Sequence, residues 1–366
     1  MMAKTIKVVI VEDQPAIRRS LRNLIDGEPD LEVVGEAANG EEGLKVCHLC
    51  QPDVITLDLE MPKLDGFGFL RLLMAKQPRP VVVVSSHATR ESVFRALELG
   101  AVEFCAKPSL IAAVSDLEPI KNDLLCKLRN ATKLRLPSLT ERMRLLGPGP
   151  QHEKNETLLQ TYRAPGGSVS APRCLVCIGA STGGPTAIAA ILQALPPKLP
   201  ASVLITQHLP NKFTAAFVQR LRKTTDWPVR EADPDAPIAP GEAIVASPIH
   251  SLCVFRDEAG CLKCQKPGAF EEVSGGYVPS IDRMMSAAAQ AMGANVVAVI
   301  LSGMSGDGVF GSQAVAQAGG RVLVESPQSA VLSSMPEAVI ATGATHDVAP
   351  LSKLASLIIR HVLMRA

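Results

Sequence analysis

A serine, a histidine and an aspartate, each just beyond an apolar run, have the types and chain order that nucleophilic acyl chemistry requires. Ser181 stands in Gly179-Ala180-Ser181-Thr182-Gly183-Gly184-Pro185, between the apolar Cys174–Ile178 and the helix-forming Thr186–Leu192. Glycines there let backbone approach a ligand, Pro185 suits a first helical position, and a helix amino end offers N–H groups to an anion. Such a strand, turn and helix can present a hydroxyl and bind an oxyanion. It can equally hold a phosphate or serve as a tight connection. His208 follows the run Val203–Thr206, where an imidazole can take a hydroxyl proton near neutral pH or simply serve the structure. Asp307 lies in Ser302-Gly303-Met304-Ser305-Gly306-Asp307-Gly308, after the strongly apolar Asn295–Leu301. A carboxylate there can hold the tautomer of His208, or be an ordinary turn aspartate. Among the other histidines, His250 is the runner-up base. His48 falls in a helical pattern, His87 after an earlier strand, His152 in a linker and His361 near the end.

A second constellation comes earlier. Lys7–Val11, Leu31–Val34, Asp53–Leu57, Val81–Val84 and Val102–Cys105 alternate with helical patterns, which predicts an α/β unit with a five-stranded, doubly wound parallel sheet. Glu12 and Asp13 end the first strand, Asp58 the third, Ser85 and Ser86 the fourth, and Lys107 the fifth. In an open parallel sheet these ends line one crevice. Three carboxylates gathered there repel one another unless a cation lies between them, and an all-oxygen set suits Mg²⁺. In that reading Asp58 accepts a phosphoryl group, Lys107 supplies positive charge to its oxygens, and the Ser85 hydroxyl follows it inward.

These elements divide the chain into a first domain over 1–130, a linker over 131–172 and a second domain over 173–366. Apolar residues at spacings of three and four, including Ile111, Val114, Leu117, Ile120, Leu124 and Leu128, predict a helix from Ser109 to about Lys133. From Leu136 to Arg173 the composition turns to Pro, Gly, Ser and Gln, as in a flexible linker. After Arg173 strand–helix alternation resumes, predicting a second α/β domain with a mostly parallel sheet.

With 37 basic and 36 acidic residues among 366, nothing electrostatic favours nucleic acid or an anionic membrane. The start of the chain has no signal-peptide pattern, and no stretch is long and apolar enough to span a bilayer. Nine cysteines then read as reduced thiols of a cytoplasmic protein. Three pairs have C-x-x-C spacing: Cys47/Cys50, Cys174/Cys177 and Cys261/Cys264. The run from His250 through Cys253 and Cys261 to Cys264 has zinc-like spacing, but it also reads as a hairpin turning at Asp257–Gly260, whose alternation splits the ligands.

The first 110 residues or so resemble the receiver domain of bacterial response regulators, through VED with Asp13, LDLEMPKLDG with Asp58, VVVVSS and FCAKP. That resemblance implies a flavodoxin-like fold, Mg²⁺ held by Glu12, Asp13 and Asp58, and phosphoryl transfer from a histidine kinase to Asp58. It makes Phe104 a switch aromatic beside Lys107. With GASTGGP, QHLPNKFTAAF, PSID, LSGMSGDG and SSMPEAV, nearly the whole chain is similar to the chemotaxis protein-glutamate methylesterase and glutamine deamidase, the CheB family. The resemblance implies a Rossmann-like catalytic domain with Ser181 as nucleophile, His208 as base, Asp307 as its orienting partner, and backbone N–H groups of Thr182 and Met304 as the oxyanion hole. It further implies methyl-accepting chemotaxis receptors as protein substrates, no cofactor for the esterase, no membrane insertion, no nucleic acid and a monomer. Ser305 stands where the family has glycine, Leu209 where it has methionine, and Ala246–His250 departs from A-P-G-x-x-H. A receiver without catalytic groups for ester hydrolysis, fused to an esterase-like domain, is expected to restrain it until Asp58 is phosphorylated. The competing classes are a phosphorylation-controlled docking module and a DNA-binding output, against which the intact triad and the balanced charge argue respectively.

Overall fold

The protein was analysed as a computed structural model that describes residues 5–85, 90–107, 117–135, 144, 172–234, 236–247, 252–264 and 277–365. Ser86, His87, Ile111, Val114, His152, His250 and nearly all of the expected linker lie outside the described residues. The chain forms two compact units, Met1–Met143 and Arg144–Ala366.

The first unit runs β1 (Ile6–Val11), α1 (Pro15–Asp26), β2 (Leu31–Ala37), α2 (Gly40–Cys50), β3 (Val54–Leu57), α3 (Gly66–Lys76), β4 (Val81–Ser85), α4 (Arg90–Glu98), β5 (Glu103–Ala106) and α5 (Lys121–Ala131). Its sheet has the order β2-β1-β3-β4-β5, parallel throughout. The strands are buried on both faces, so they read as unbroken apolar runs. The chain leaves β1 toward one edge and returns to build the other, and this reversal opens a crevice at the carboxyl ends of β1 and β3. The expected helix from Ser109 is not continuous. Leu117 is non-helical, a 3₁₀ turn covers Glu118–Ile120, and α5 begins only at Lys121. Pro119 lies in that 3₁₀ turn, and a proline, lacking an N–H and carrying a ring that crowds the chain before it, disfavours one helix running straight through.

The second unit runs β6 (Cys174–Ala180), α6 (Gly184–Ala194), β7 (Ala201–Gln207), α7 (Asn211–Thr224), β8 (Val229–Glu231), β9 (Ala243–Val245), β10 (Val254–Arg256), β11 (Leu262–Cys264), α8 (Ile281–Met292), β12 (Val296–Ile300), α9 (Val309–Gln317), β13 (Arg321–Glu325), α10 (Ser334–Ala341), β14 (Asp347–Ala349) and α11 (Leu351–Leu363). Seven strands form one sheet in the order β14-β13-β12-β6-β7-β9-β8, with every neighbouring pair parallel. Among the described residues antiparallel pairing occurs in the separate β10–β11 hairpin and in an isolated bridge between Pro237 and Lys263. Leu175, Cys177, Ala298 and Ile300 alternate onto a core shared with Met284, Met285 and Ala288 of α8, Val315 of α9 and Val339 of α10. On this sheet the chain direction reverses between β6 and β12. Gly179 is in register with Ile300, and Ala180 with Gln207, so the residues that follow β12, β6 and β7 emerge side by side.

Candidate active site

Ser181 is the first residue beyond β6, and its backbone is fixed from three directions. Its N–H donates to the Ser302 carbonyl at 3.1 Å, and its own carbonyl accepts from the Gly184 N–H at 2.8 Å and from Gln207 Nε2 at 2.9 Å. Gly183 takes φ +74° at the cap of α6, a left-handed conformation that costs a side-chain-bearing residue about 1–2 kcal/mol. Gly303 packs against the serine so closely that a Cβ there would lie 2.7 Å from Ser181 Cβ and 2.1 Å from Met335 Sδ. The turn therefore holds the hydroxyl at the amino end of α6, between the β12 loop and β7.

His208 is the first residue beyond β7, and its N–H donates to the Ala180 carbonyl at 3.0 Å. Its Nε2 lies 2.8 Å from Asp307 Oδ2. Asp307 is buried, and its carboxylate also accepts the Ser280 hydroxyl at 3.1 Å, the Ile281 N–H at 2.7 Å and the Asp282 N–H at 2.9 Å. Burial alone would raise its pKa. The bonds from His208, Asp282 and Ile281 outweigh burial and hold it below the usual carboxylate range. An ionised Asp307 keeps the imidazole proton on Nε2 and leaves Nδ1 as the acceptor, so the two ring nitrogens have exchanged the roles they take in the chymotrypsin arrangement. The structure thus joins His208 to Asp307 and sets Ser181 on the adjacent strand. Among the described residues no hydrogen bond links the Ser181 hydroxyl to the imidazole, in keeping with catalytic contacts that tighten only with substrate present.

Several residues that the sequence reading did not single out build this site. Ser302 is a junction: its hydroxyl donates to the Thr182 carbonyl at 2.8 Å and accepts the Leu332 N–H at 2.9 Å, and its N–H donates to the buried Glu325 carboxylate at 2.9 Å. Thr182 and the Met304 loop are tied to one frame in this way, and the Met304 N–H has no partner among the described residues. Asp282 Oδ1 accepts from the N–H groups of Gly308 at 2.9 Å and Gly311 at 2.6 Å. Burial, with the Asp307 charge adding to it, pushes the Asp282 carboxyl up to about 6, against the two amides. Tyr277 stacks on the His208 ring, with centroids 4.9 Å apart and planes 8° from parallel. Ser280-x-Asp282 at a helix start was a readable capping signal, whereas one of only two tyrosines in the chain carries no pattern.

In the first unit the crevice gathers the expected polar residues. Lys107 Nζ donates to Glu12 Oε2 and to Asp58 Oδ2, both at 2.6 Å, and all three side chains are buried. Asp58 Oδ1 accepts the Leu59 N–H at 2.6 Å. One oxygen from each of Glu12, Asp13 and Asp58 lies within 4.8 Å of the others, and the buried Asp13 Oδ1 has no hydrogen-bond partner. Burial pushes the Glu12 carboxyl up to about 7, with Lys107 opposing and the Asp58 charge adding to the rise. An all-oxygen set with an orphaned carboxylate oxygen fits a hard divalent cation such as Mg²⁺. Ser85 closes β4 and is buried. Phe104 is buried in β5, and Lys127 of α5 donates to its carbonyl at 2.8 Å with Nζ 5.5 Å from its ring centre.

The hairpin turns at Asp257–Gly260 as expected, with Val254 opposite Cys264. Cys253 and Cys264 are buried and Cys261 is exposed. Cys174 and Cys177 share buried β6, and burial raises both thiols, Cys174 to about 12.

Comparison with known proteins agrees with this division of labour. Residues 176–358 match the family described as CheB methylesterase, and residues 8–116 match the response regulator receiver domain. A protein-glutamate methylesterase/protein-glutamine glutaminase 6 of Anaeromyxobacter dehalogenans (strain 2CP-C) is 39% identical over 358 residues, covering 97% of this chain and 95% of its own. A protein-glutamate methylesterase/protein-glutamine glutaminase 1 of Myxococcus xanthus (strain DK1622) is 39% identical over 353 residues, covering 95% of each chain. The crystal structure of the Thermotoga maritima CheB methylesterase catalytic domain aligns with 52% of this chain and 99% of that one, at 31% identity and a TM-score of 0.47. Since relatives align along nearly its whole length and the CheB methylesterase family pattern matches half of it, this chain belongs to the CheB methylesterase family and carries a receiver domain ahead of the methylesterase domain.

Proposed function

We propose that this chain is a phosphorylation-activated protein-glutamate methylesterase that hydrolyses glutamate γ-methyl esters on chemoreceptors, releasing methanol, and deamidates receptor glutamines. The observation that carries the reading is the 2.8 Å bond between His208 and an Asp307 held ionised by three further donors, in the segments that follow β7 and β12, the two neighbours of the strand that leads into Ser181.

In this reading Ser181 Oγ attacks the γ-carbonyl carbon while His208 Nδ1 takes its proton, and Asp307 stabilises the imidazolium through Nε2. The carbonyl oxygen becomes an oxyanion, which the N–H groups of Thr182 and Met304 receive; one such donor is worth about 2.7–4 kcal/mol in comparable sites. The tetrahedral carbon then expels the methoxy group, which leaves as methanol with the proton from His208. Water, deprotonated by the same nitrogen, attacks the acyl-enzyme; the Ser181–acyl bond breaks as His208 returns that proton to Ser181 Oγ, and glutamate is released. With glutamine the first leaving group is ammonia.

The receiver supplies control. A histidine kinase is the phosphoryl donor and Asp58 the acceptor. Glu12, Asp13 and Asp58 would hold Mg²⁺, which neutralises charge on the phosphoryl oxygens. Lys107, released from Asp58 as the carboxylate becomes an acyl phosphate, bonds those oxygens; the Ser85 hydroxyl follows the phosphoryl group inward, and Phe104 is the switch aromatic beside Lys107. We assign residues 1–130 to the receiver, 131–172 to the linker and 173–366 to the catalytic domain, supported by the end of α5 at Ala131 and the start of β6 at Cys174. We further propose a cytoplasmic monomer acting on methyl-accepting receptors. No helix among the described residues is long and apolar enough to cross a membrane.

The test is methanol release from methylated receptor membranes by wild-type protein and Ser181→Ala, each with and without a small-molecule phosphoryl donor and Mg²⁺. Release that the donor stimulates and Ser181→Ala abolishes is expected. Full release by Ser181→Ala would refute the nucleophile.

A further inference from the structure

We infer that Tyr277 is a positioning residue for the general base, its ring setting the plane in which the His208 imidazole lies; the inference rests on the esterase reading of the same site. A single bond from Nε2 to Asp307 Oδ2 at 2.8 Å fixes where one ring atom sits. It does not fix the tilt of the ring about that bond, and the tilt decides where Nδ1, on the opposite side of the imidazole, points. A general base must meet its proton at about 2.6–3.2 Å, so an unrestrained tilt would leave Nδ1 misdirected for part of the time. The Tyr277 ring supplies the missing restraint, lying nearly parallel to the imidazole at 8° with centroids 4.9 Å apart, the offset-stacked geometry that aromatic pairs prefer.

The tyrosine is delivered by the segment that also holds Asp307. Three to five residues after Tyr277, the Ser280 hydroxyl and the N–H groups of Ile281 and Asp282 all donate to the Asp307 carboxylate. Residues 277–282 thus contact both the face of the base and the carboxylate on its edge, so a shift of the segment moves both together. The stack also acts on charge. When His208 takes the Ser181 proton it becomes a cation, and the electron-rich tyrosine face favours it in that form. Tyr277 is 50% exposed, so its outer face adds little to core packing and is available for substitution.

The test uses the full-length protein with Tyr277→Phe and Tyr277→Leu. The first readout is the rate at which a fluorophosphonate probe modifies Ser181, which needs an activated hydroxyl but no receptor. The second is kcat and KM for methanol release from methylated receptor under saturating phosphoryl donor. Tyr277→Leu is expected to slow the probe reaction and kcat together by about 2- to 12-fold, the range an aromatic pair contributes, with KM unchanged; Tyr277→Phe, which keeps the face, stays within about twofold of wild type. If Tyr277→Leu lowers the melting temperature, Tyr277→Met replaces it in the same comparison. Equal rates for all three proteins would overturn the proposal. So would a Phe variant as slow as the Leu variant, which would place the role on the hydroxyl. A change in receptor KM alone would make Tyr277 a substrate contact instead. Failure of the esterase reading itself is separately visible, as a wild-type Ser181 that never reacts with the probe.

Discussion

Replacing Asp282 with asparagine tests which of two opposing effects governs the junction between the Asp307 carboxylate and α9. Asp282 Oδ1 accepts the amides of Gly308 and Gly311, and those donors at a helix amino end favour a negative charge. Burial and the neighbouring Asp307 charge oppose it and win, lifting the carboxyl from 3.8 to about 6. At 1.36 kcal/mol per pH unit that interval corresponds to about 3 kcal/mol. The side chain is partly open to solvent, and screening reduces the figure to about 1–2 kcal/mol. The sign follows from the two titrations. Below 3.8 Asp282 is neutral folded and unfolded, and costs nothing. Between 3.8 and about 6 the unfolded chain ionises while the folded one does not, and above about 6 the folded protein carries the full penalty. Asp282→Asn keeps a carbonyl oxygen for both amides and removes the charge. It is therefore expected to raise the catalytic domain's melting temperature by about 2–8 °C at pH 8, with the gain fading to nothing near pH 4. Circular dichroism melts of the full-length proteins at both pH values measure this. A lower melting temperature for the variant at pH 8 would show that the helix-end amides outweigh burial and repulsion. An equal gain at both pH values would show that charge is not the cause.

Asp307→Asn should lower kcat for methanol release by about 10⁴-fold, because an amide N–H facing Nε2 pushes the imidazole proton to Nδ1, the nitrogen that must accept from Ser181; single-turnover kinetics would show the loss in the acylation step. Asp58→Asn should abolish stimulation by acetyl phosphate while leaving basal methanol release unchanged, and loss of the basal rate as well would refute the separation of switch and chemistry. Removing divalent cations with EDTA should act like Asp58→Asn and leave unstimulated hydrolysis intact, which is measured by the same methanol assay with Mg²⁺ added back. Gly303→Ala should cost most of the activity, because a Cβ 2.7 Å from that of Ser181 displaces the nucleophile by more than the tolerance of an aligned attack; full activity would mean that the loop yields without moving the serine.

The candidate residues were legible because this architecture writes them in a particular place. A parallel strand buried on both faces must be apolar, so the first polar residue after each run marks a carboxyl strand end. Glu12, Asp58, Ser85 and Lys107 are found that way in one sheet, Ser181 and His208 in the other, and Asp307 a few residues farther along its loop. Periodicity does not say which strands are neighbours. The order β12-β6-β7 that sets Asp307, Ser181 and His208 side by side is a tertiary fact, as is the choice of Nε2 over Nδ1 for the bond to Asp307. Apolar spacing likewise ran through Pro119, where backbone chemistry disfavours a continuous helix whatever face the side chains would share.

What the supporting residues do for Asp307 stayed hidden for a related reason. Ser280, Ile281 and Asp282 act on Asp307 through a hydroxyl and two backbone amides, and Asp282 acts back on Gly308 and Gly311 through amides again. A backbone donor is the same for every residue type except proline, so its use leaves no trace in side-chain pattern. The result is a reciprocal clamp in which the start of α8 holds the carboxylate from the α9 loop, and a carboxylate of α8 holds the start of α9. The orientation of His208 then depends on both helices at once. A substitution that disturbs either helix start is expected to reach His208 through Asp307, without any contact with Ser181.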